Sequence, residues 1–263
     1  MSLVAGRLVV VRGAGDLATG CVVKLVRCGF RVVALETARP TAIRRRVSLS
    51  EAVYDGEATV EGVRGFCCGA VPAAWGELEV PVLVDPEARV LARVAPFALV
   101  DAIVAKRNLG TRIDMAPVVV GLGPGFVAGR DVHAVVETNR GHDLGRVYLE
   151  GGAEPNTGTP GAIAGHGEGR VLRAPAAGVA APLVAIGDVV GAGAPLLSVG
   201  GATVLSAIGG VVRGLIRPGI EVRAGAKVAD VDPRGARESC VTVSDKSRCV
   251  GGGVLEAILA LAP

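Results

Sequence analysis

Aromatic residues are scarce in this chain, with one Trp, two Tyr and four Phe among 263 residues. Proteins that hold single-stranded nucleic acid stack bases on aromatic rings, so composition argues against that mode of binding. Net charge is small as well, +3 at neutral pH, and the basic residues are scattered apart from Arg44-Arg45-Arg46. An extended nucleic-acid surface is therefore not expected. No uncharged apolar run approaches the ~18 residues needed to cross a bilayer, and Met1-Ser2-Leu3 leads almost directly into a strand pattern rather than a secretion signal. No membrane association and a cytoplasmic location are expected. The six cysteines (Cys21, Cys28, Cys67, Cys68, Cys240 and Cys249) include no C-x-x-C pair and no zinc-ligand spacing, which fits thiols in a reducing compartment and no metal site.

What is abundant is Val, Ala, Leu and above all Gly, with 39 glycines and 15 prolines. That mixture predicts short strands and tight bends rather than a helical bundle, and the length suffices for two compact domains. The organising stretch is Leu8-Val9-Val10-Val11-Arg12-Gly13-Ala14-Gly15-Asp16-Leu17-Ala18-Thr19-Gly20. It reads as a buried strand, an abrupt turn and a helix start. Gly13-x-Gly15-x-x-Ala18 fits a dinucleotide fingerprint: the first glycine makes the turn, the second lets backbone approach a pyrophosphate, and the third small residue lets helix meet strand. Cys21 to Arg27 continues the helix, Gly29 closes it, and Arg31 to Leu35 forms a second strand ending in Glu36. Glu36 follows Gly13 by 23 positions, near the ~20-residue offset of an acid that binds a ribose hydroxyl. Thr19 belongs to the same loop. The same pattern also suits a glycine turn that only joins strand to helix. Asp16 at the helix entrance would repel a pyrophosphate, and is read as a helix cap or the holder of a bridging cation.

Beyond Glu36 the run Arg44-Arg45-Arg46 offers guanidinium groups that could clamp a phosphate, with Arg44 and Arg45 the chosen pair. Val47 to Tyr54 reads as a short helix, and Ala58 to Val63, Val80 to Pro86 and Ala98 to Val104 as strands. Strands separated by crossovers predict a mainly parallel sheet, whose ligands bind beyond the strands' carboxyl ends. Lys106, Arg107 and Asn108 would then lie on the site's rim. A second glycine loop, Gly121-Leu122-Gly123-Pro124-Gly125, follows the strand Ala116 to Val120, with Gly123 and Gly125 as ligand contacts. Pro117 and Pro124 make it a poorer cradle, suited to a sheet edge. His133, Glu137 and His142 lack a second ligand pair at recognisable spacing, so a polar cluster ordering a loop is preferred to a metal site.

The C-terminal half carries an internal repeat. Gly178, Gly187 and Gly193 recur 32 positions later as Gly210, Gly219 and Gly225, with Val179 matching Val211 and Val190 matching Val222. Neither copy could bury its apolar face alone, so the two should interlock as a small pseudo-twofold β domain. A glycine triplet, Gly251 to Gly253, precedes a closing helix over Val254 to Ala260, too short to be stable alone and expected to pack back on the first domain.

Several long stretches are similar to the YqeB family, accessory proteins associated with selenium-dependent molybdenum hydroxylases: Arg12 to Gly20, Glu36 to Val47, Glu51 to Gly62, Asp101 to Thr111, Met115 to Gly129, Glu137 to Gly145, Pro155 to Gly161, Asp230 to Arg234 and Ser244 to Lys246. The N-terminal part also resembles, more distantly, the Rossmann-like domain of XdhC proteins, which bind molybdenum cofactor. The repeat resembles the barrel-sandwich domains of biotinyl and lipoyl carriers, but Val199 to Leu205, the stretch matching their attachment hairpin, has no lysine, so no biotin or lipoyl group is expected. These resemblances imply an α/β plus all-β chain: a Rossmann-like nucleotide-binding domain over 1–114, a central β and loop segment over 115–170, a barrel-sandwich over 171–235, and a tail with the packing helix over 236–263. They imply maturation of molybdenum hydroxylases, with a molybdopterin dinucleotide or NAD(P) as ligand, apo hydroxylase or other maturation proteins as partners, and room for a homo-oligomer. An NAD(P)-dependent oxidoreductase using Lys106, His133 or His142 as proton donor, and a scaffold with a vestigial first domain, are the alternatives. No acid–base pair stands at a diagnostic spacing, so whether the chain is an enzyme stays open.

Overall fold

The computed structural model describes residues 5–158, 161 and 163–262. Met1-Ser2-Leu3, and Thr159 and Pro160 of the Pro155 to Gly161 stretch, lie outside the described residues. The chain folds into two compact units, and neither is a continuous segment. One takes the chain up to Pro40, Ser48–Thr157 and everything from Val243; the other takes Thr41–Val47 and Gly158–Thr242.

The first unit holds β1 (Leu8–Arg12), α1 (Asp16–Arg27), β2 (Arg31–Glu36), α2 (Ala52–Asp55), β3 (Glu57–Val60), β4 (Val63–Cys67), β5 (Glu79–Val84), β6 (Ala98–Asp101), β7 (Val118–Leu122), β8 (Ala134–Val136), β9 (Val147–Tyr148) and α3 (Asp245–Ala260). Its nine strands form one mixed sheet in the order β3-β4-β5-β2-β1-β6-β7-β8-β9. Every neighbouring pair from β4 to β8 is parallel, and only the two outermost pairings are antiparallel. Strand alternation sends Val10, Val33, Leu83, Leu99, Val119 and Val135 to one face, where loop residues such as Val71, Trp75, Val90 and Phe126 cover them. The helices α1 and α3 pack over β1, β2, β7 and β8. Of the expected crossover helices, only α1 between β1 and β2 runs for several turns, and α2 between β2 and β3 has four residues. From β5 to β8 irregular loops and single tight turns connect the strands.

Two features differ from the sequence reading for local reasons. The glycine triplet lies inside α3 instead of preceding it, because the helix must pass very close to its neighbours. A Cβ at Gly20 of α1 would stand 2.6 Å from the Ser247 Cβ, one at Gly251 would stand 2.9 Å from the Gly20 carbonyl oxygen, and one at Gly253 would collide with the Gly145 carbonyl. The helix begins at Ser244, whose Oγ accepts the Ser247 N–H at 3.1 Å. Nor is β7 a sheet edge, since it pairs with β6 and β8. Pro117 precedes the first paired residue, Val118, and its missing N–H removes no ladder bond.

The second unit contains β10 (Val171–Arg173), β11 (Gly178–Pro182), β12 (Val189–Val190), β13 (Pro195–Val199), β14 (Ala202–Leu205), β15 (Gly210–Leu215), β16 (Glu221–Val222) and β17 (Lys227–Asp232). They make two four-stranded antiparallel sheets, β10-β17-β15-β12 and β14-β13-β11-β16. The repeat copies exchange short strands: β12 of the first pairs with β15 of the second, and β16 of the second pairs with β11 of the first. All six repeat glycines have positive φ, a conformation in which a side chain would be strained. Leu196, Leu197, Val199, Val212, Leu215, Ile216, Val228 and Val231 build the shared core, and Ile43 from the inserted stretch joins it. Beside that core lies an ion network, buried except at Arg234. Arg170 and Arg213 both bond Asp230, while Arg213 and Arg234 both bond Asp232.

No helix among the described residues is long and apolar enough to cross a membrane.

Candidate functional site

At the carboxyl end of the large sheet the chain changes direction. From β1 it moves by α1 to β2 on one side; it returns after β5 to lay β6 against the other side of β1. The loops leaving β1 and β6 therefore diverge, and such a switch point is where open α/β sheets place ligands.

The turn after β1 is fixed from several directions. Gly13 adopts φ +100°, and a Cβ there would stand 3.0 Å from the Ala102 carbonyl oxygen in the loop after β6. The Ala14 carbonyl accepts from the Ser50 N–H at 2.9 Å and from the Thr19 hydroxyl at 3.0 Å, and Thr19 Oγ1 itself accepts the Leu49 N–H. Thr19 is thus wholly buried and structural. Gly15 behaves differently. Its φ of −71° suits any residue, and a Cβ there would meet nothing within 4 Å. Neither conformation nor packing demands glycine at this position, which leaves open space beside the first turn of α1. Gly13, Gly15, Asp16 and Leu17 are all partly exposed.

Glu36 comes to this loop from the end of β2. Its Oε2 accepts the Ala14 N–H at 2.9 Å and its Oε1 accepts the Thr37 N–H at 2.8 Å. Each oxygen keeps a lone pair for a further donor. The N-cap of α1 is Gly15, which makes no side-chain cap bond, and Asp16 stands in the first turn. The Asp16 carboxylate accepts the Ser247 hydroxyl of α3 at 2.8 Å, which turns one oxygen toward a neutral donor.

Beneath the loop is a group that sequence reasoning passed over. Arg12, the last residue of β1, is 4% exposed. Its guanidinium bonds Thr111 Oγ1 at 2.5 Å, Asp101 Oδ2 at 3.4 Å and the carbonyls of Pro86 and Leu109. Thr111 in turn donates to Asp101 at 2.6 Å. One buried arginine thereby ties the loops after β5 and β6 to the end of β1. The available signal was a charge closing each of two otherwise apolar strands, Arg12 and Asp101.

The loop after β6 runs between the two glycine turns. Val104 and Lys106 both adopt left-handed backbone, φ +55° and +63°, a conformation that is an outlier for a β-branched valine. Lys106 Nζ reaches Asn156 Oδ1 at 2.5 Å. Asn108 is occupied locally, its Oδ1 accepting the Gly110 and Thr111 N–H groups and its Nδ2 donating to the Thr111 carbonyl. Gly125 packs against the Arg107 backbone, where a Cβ would stand 2.6 Å from Arg107 Cα, and Gly123 packs against Thr138. The structure thus brings Gly13, Gly15, Asp16, Thr19 and Glu36 together, and sets Lys106, Asn108, Gly123 and Gly125 on the loops of the same sheet end.

Arg44 and Arg45 both belong to the second unit. Arg44 donates to the Ser239 and Thr242 carbonyls and Arg45 to the Leu215 carbonyl at 2.8 Å, so these guanidinium groups anchor the inserted stretch to its own unit.

The polar cluster after β7 orders loops. His133 Nδ1 accepts the Val119 N–H at 3.0 Å, and burial holds its pKa below the ordinary histidine value. Glu137 is 1% exposed and accepts the Thr138, Asn139 and Glu154 N–H groups. His142 is exposed. Among the described residues no three His, Cys, Asp or Glu side chains assemble as a metal-ligand set.

Over 258 residues, 97% of its length, the chain is 49% identical to the Escherichia coli (strain K12) protein named "Uncharacterized protein YqeB". The match takes in 48% of that protein, so the chain spans about half the length of the curated relative it matches. No protein-family model matches the chain. No solved structure matches it.

Proposed function

We propose, proceeding from the similarity to the E. coli YqeB protein, that this chain binds a nucleotide-bearing ligand at the carboxyl ends of β1 and β6 and serves as an accessory protein in the maturation of molybdenum hydroxylases. The observation that carries the binding site is Gly15. An otherwise unconstrained position beside a helix start keeps a residue with no side chain, and such an opening lets a pyrophosphate approach the backbone amides. Around it, the order β5-β2-β1-β6-β7-β8 matches the Rossmann-like pattern of two half-sheets meeting at the first strand. In this reading Glu36 accepts ribose hydroxyls with its remaining lone pairs while holding the Ala14 amide. Lys106 supplies positive charge from the rim, and Gly123 and Gly125 keep the neighbouring loop close. The second unit is read as a barrel-sandwich that docks partners or copies of the chain, with the turn Gly200-Gly201 in place of a carrier lysine.

The maturation role rests on the resemblance of long sequence stretches. A molybdopterin dinucleotide offers the pyrophosphate and ribose that the site would recognise, and NAD(P) offers the same two groups. The oxidoreductase reading, with Lys106, His133 or His142 as proton donor, is the weaker one, because the sequence offers no acid–base pair at a diagnostic spacing.

The test is calorimetric titration of anaerobically purified protein with NAD, NADP, CDP and molybdenum-cofactor extracts, beside Gly15→Val. The added side chain enters open space and leaves the fold intact. The expected result is saturable binding of at least one nucleotide, reduced ~100-fold or more in the variant by steric exclusion of the phosphate. Equal affinity in both proteins, or none for any ligand, would contradict the proposal.

A further inference from the structure

The second unit carries its own internal comparison, because each residue of one repeat copy has a counterpart 32 positions away on the same backbone frame. Val190-Gly191-Ala192-Gly193-Ala194-Pro195 corresponds to Val222-Arg223-Ala224-Gly225-Ala226-Lys227. The frame is conserved in three dimensions as well. The Ala174 N–H bonds the Ala226 carbonyl and the Gly225 N–H returns to the Ala174 carbonyl, while the Ser206 N–H bonds the Ala194 carbonyl and the Gly193 N–H returns to Ser206.

On this shared frame the side chains diverge. Arg173, Arg223 and Lys227 stand where the other copy has Leu205, Gly191 and Pro195. The fold therefore tolerates uncharged residues at all three positions and does not itself require the cations. The three cations line a single cleft of about 920 Å³, together with Thr41, Ile43, Ile216, Glu221 and Val222. Ile43, Ile216 and Val222 are buried and form its apolar floor, while Arg173, Arg223 and Lys227 are exposed at its rim. Arg173 spends one N–H on the Gly225 carbonyl at 3.0 Å, which fixes the head and leaves other donors of its fork available. Glu221 is the one acidic lining residue. The inserted stretch closes the cleft only on this side of the pseudo-twofold, since Ile43 and Thr41 have no repeat counterpart.

We propose that this cleft is a binding site for a small phosphorylated organic molecule with an apolar body. The anionic group meets the Arg173 and Arg223 guanidinium forks, whose planar donors match phosphate oxygens in pairs. The apolar body lies on Ile43, Ile216 and Val222, in a cleft whose volume suits a ligand of that size. The site is separate from the glycine loop of the first unit and does not depend on the function proposed for it.

The test uses the full chain and 1-naphthyl phosphate as probe, with inorganic phosphate and 1-naphthol as the two half-ligands, followed by calorimetry and methyl NMR. The variant Arg173→Leu/Arg223→Gly copies the residues of the other repeat copy and so preserves a side-chain set already compatible with this backbone; an unchanged thermal transition checks the fold. The expected result is saturable binding of 1-naphthyl phosphate with shifts at the Ile43 and Ile216 methyls, affinity above either half-ligand, and a loss of ~10-fold or more in the variant. Gly15→Val should bind the probe like the parent chain, which separates this site from the first. Absence of binding, equal binding by the variant, or shifts confined to residues outside the cleft would overturn it.

Discussion

Single residues in this protein divide by what surrounds them, and Asp232 is a case where charge decides. Its side chain is fully buried. Burial pulls its pKa upward, but the bonds from Arg234 and the nearby Arg213 outweigh it and hold the carboxyl below the ordinary aspartate value. A carboxylate held below its unfolded value stabilises the fold above that unfolded value, ~3.9, and the contribution is lost as pH falls through the lower folded value. Asp232→Asn is therefore expected to destabilise the second unit by about 1–3 kcal/mol at pH 7, because Arg213 keeps its bonds to Asp230 and the half-exposed Arg234 turns to water. Hydrogen exchange of β15 and β17 amides would measure it. The gap between variant and parent should narrow below pH 4, and a gap that widened there would show that the ion network is not its source. The sequence displayed Asp230, Asp232 and Arg234 together as one motif. It could not display Arg170 and Arg213, which reach these aspartates from the turn before β10 and from β15.

At the scale of elements, β1, β2, β5, β6 and β7 were readable because their residues are mostly Val, Leu and Ala in short runs, which fit positions buried on both faces of a parallel sheet, whereas the strand expected over Ala58 to Val63 is broken by the turn Glu61-Gly62 that joins β3 to β4. The sequence pattern for β6 ran on to Val104, but the strand ends at Asp101, where the buried contact with Arg12 takes over. The helix α3 was less readable. Three consecutive glycines weaken a helix by themselves, and their reason appears only when α1 and Gly145 are placed against them. The α1–α3 contact follows from small residues at Gly20, Ser247 and Gly251, and this gives a direct expectation. Gly20→Val should cost about 1–3 kcal/mol through overpacking against the Ser247 side chain and backbone, read as a lower urea midpoint of the first unit. Gly15→Val, five residues away at the N-cap of α1 and facing open space, should lower that midpoint far less. Equal destabilisation by both would contradict the assigned packing.

For the molecule as a whole, the chain passes twice into the second unit, and the first passage carries Arg44 and Arg45. They follow β2 in sequence, yet the Leu215 N–H donates to the Ile43 carbonyl at 2.7 Å and Ile43 fills part of the second core. Sequence proximity to Glu36 carried no information about which core the stretch would join. The glycine loop, by contrast, was legible with its strand, helix and acid, because all four sit within one local β-α-β arrangement. Ile43→Ala should then cost about 2–5 kcal/mol and speed exchange in β15 and β17 while leaving β1 and β2 unaffected. Faster exchange in β1 and β2 alone would show that Ile43 belongs to the other core.

The most direct measurement of the central claim is a crystal of the full chain soaked with NAD and with CDP. Density for the pyrophosphate or diphosphate is expected against the amides that begin α1, beside Gly15, with the ribose within hydrogen-bond reach of Glu36. Density for the nucleotide only at other surfaces, or a loop left unchanged at saturating ligand, would contradict the account.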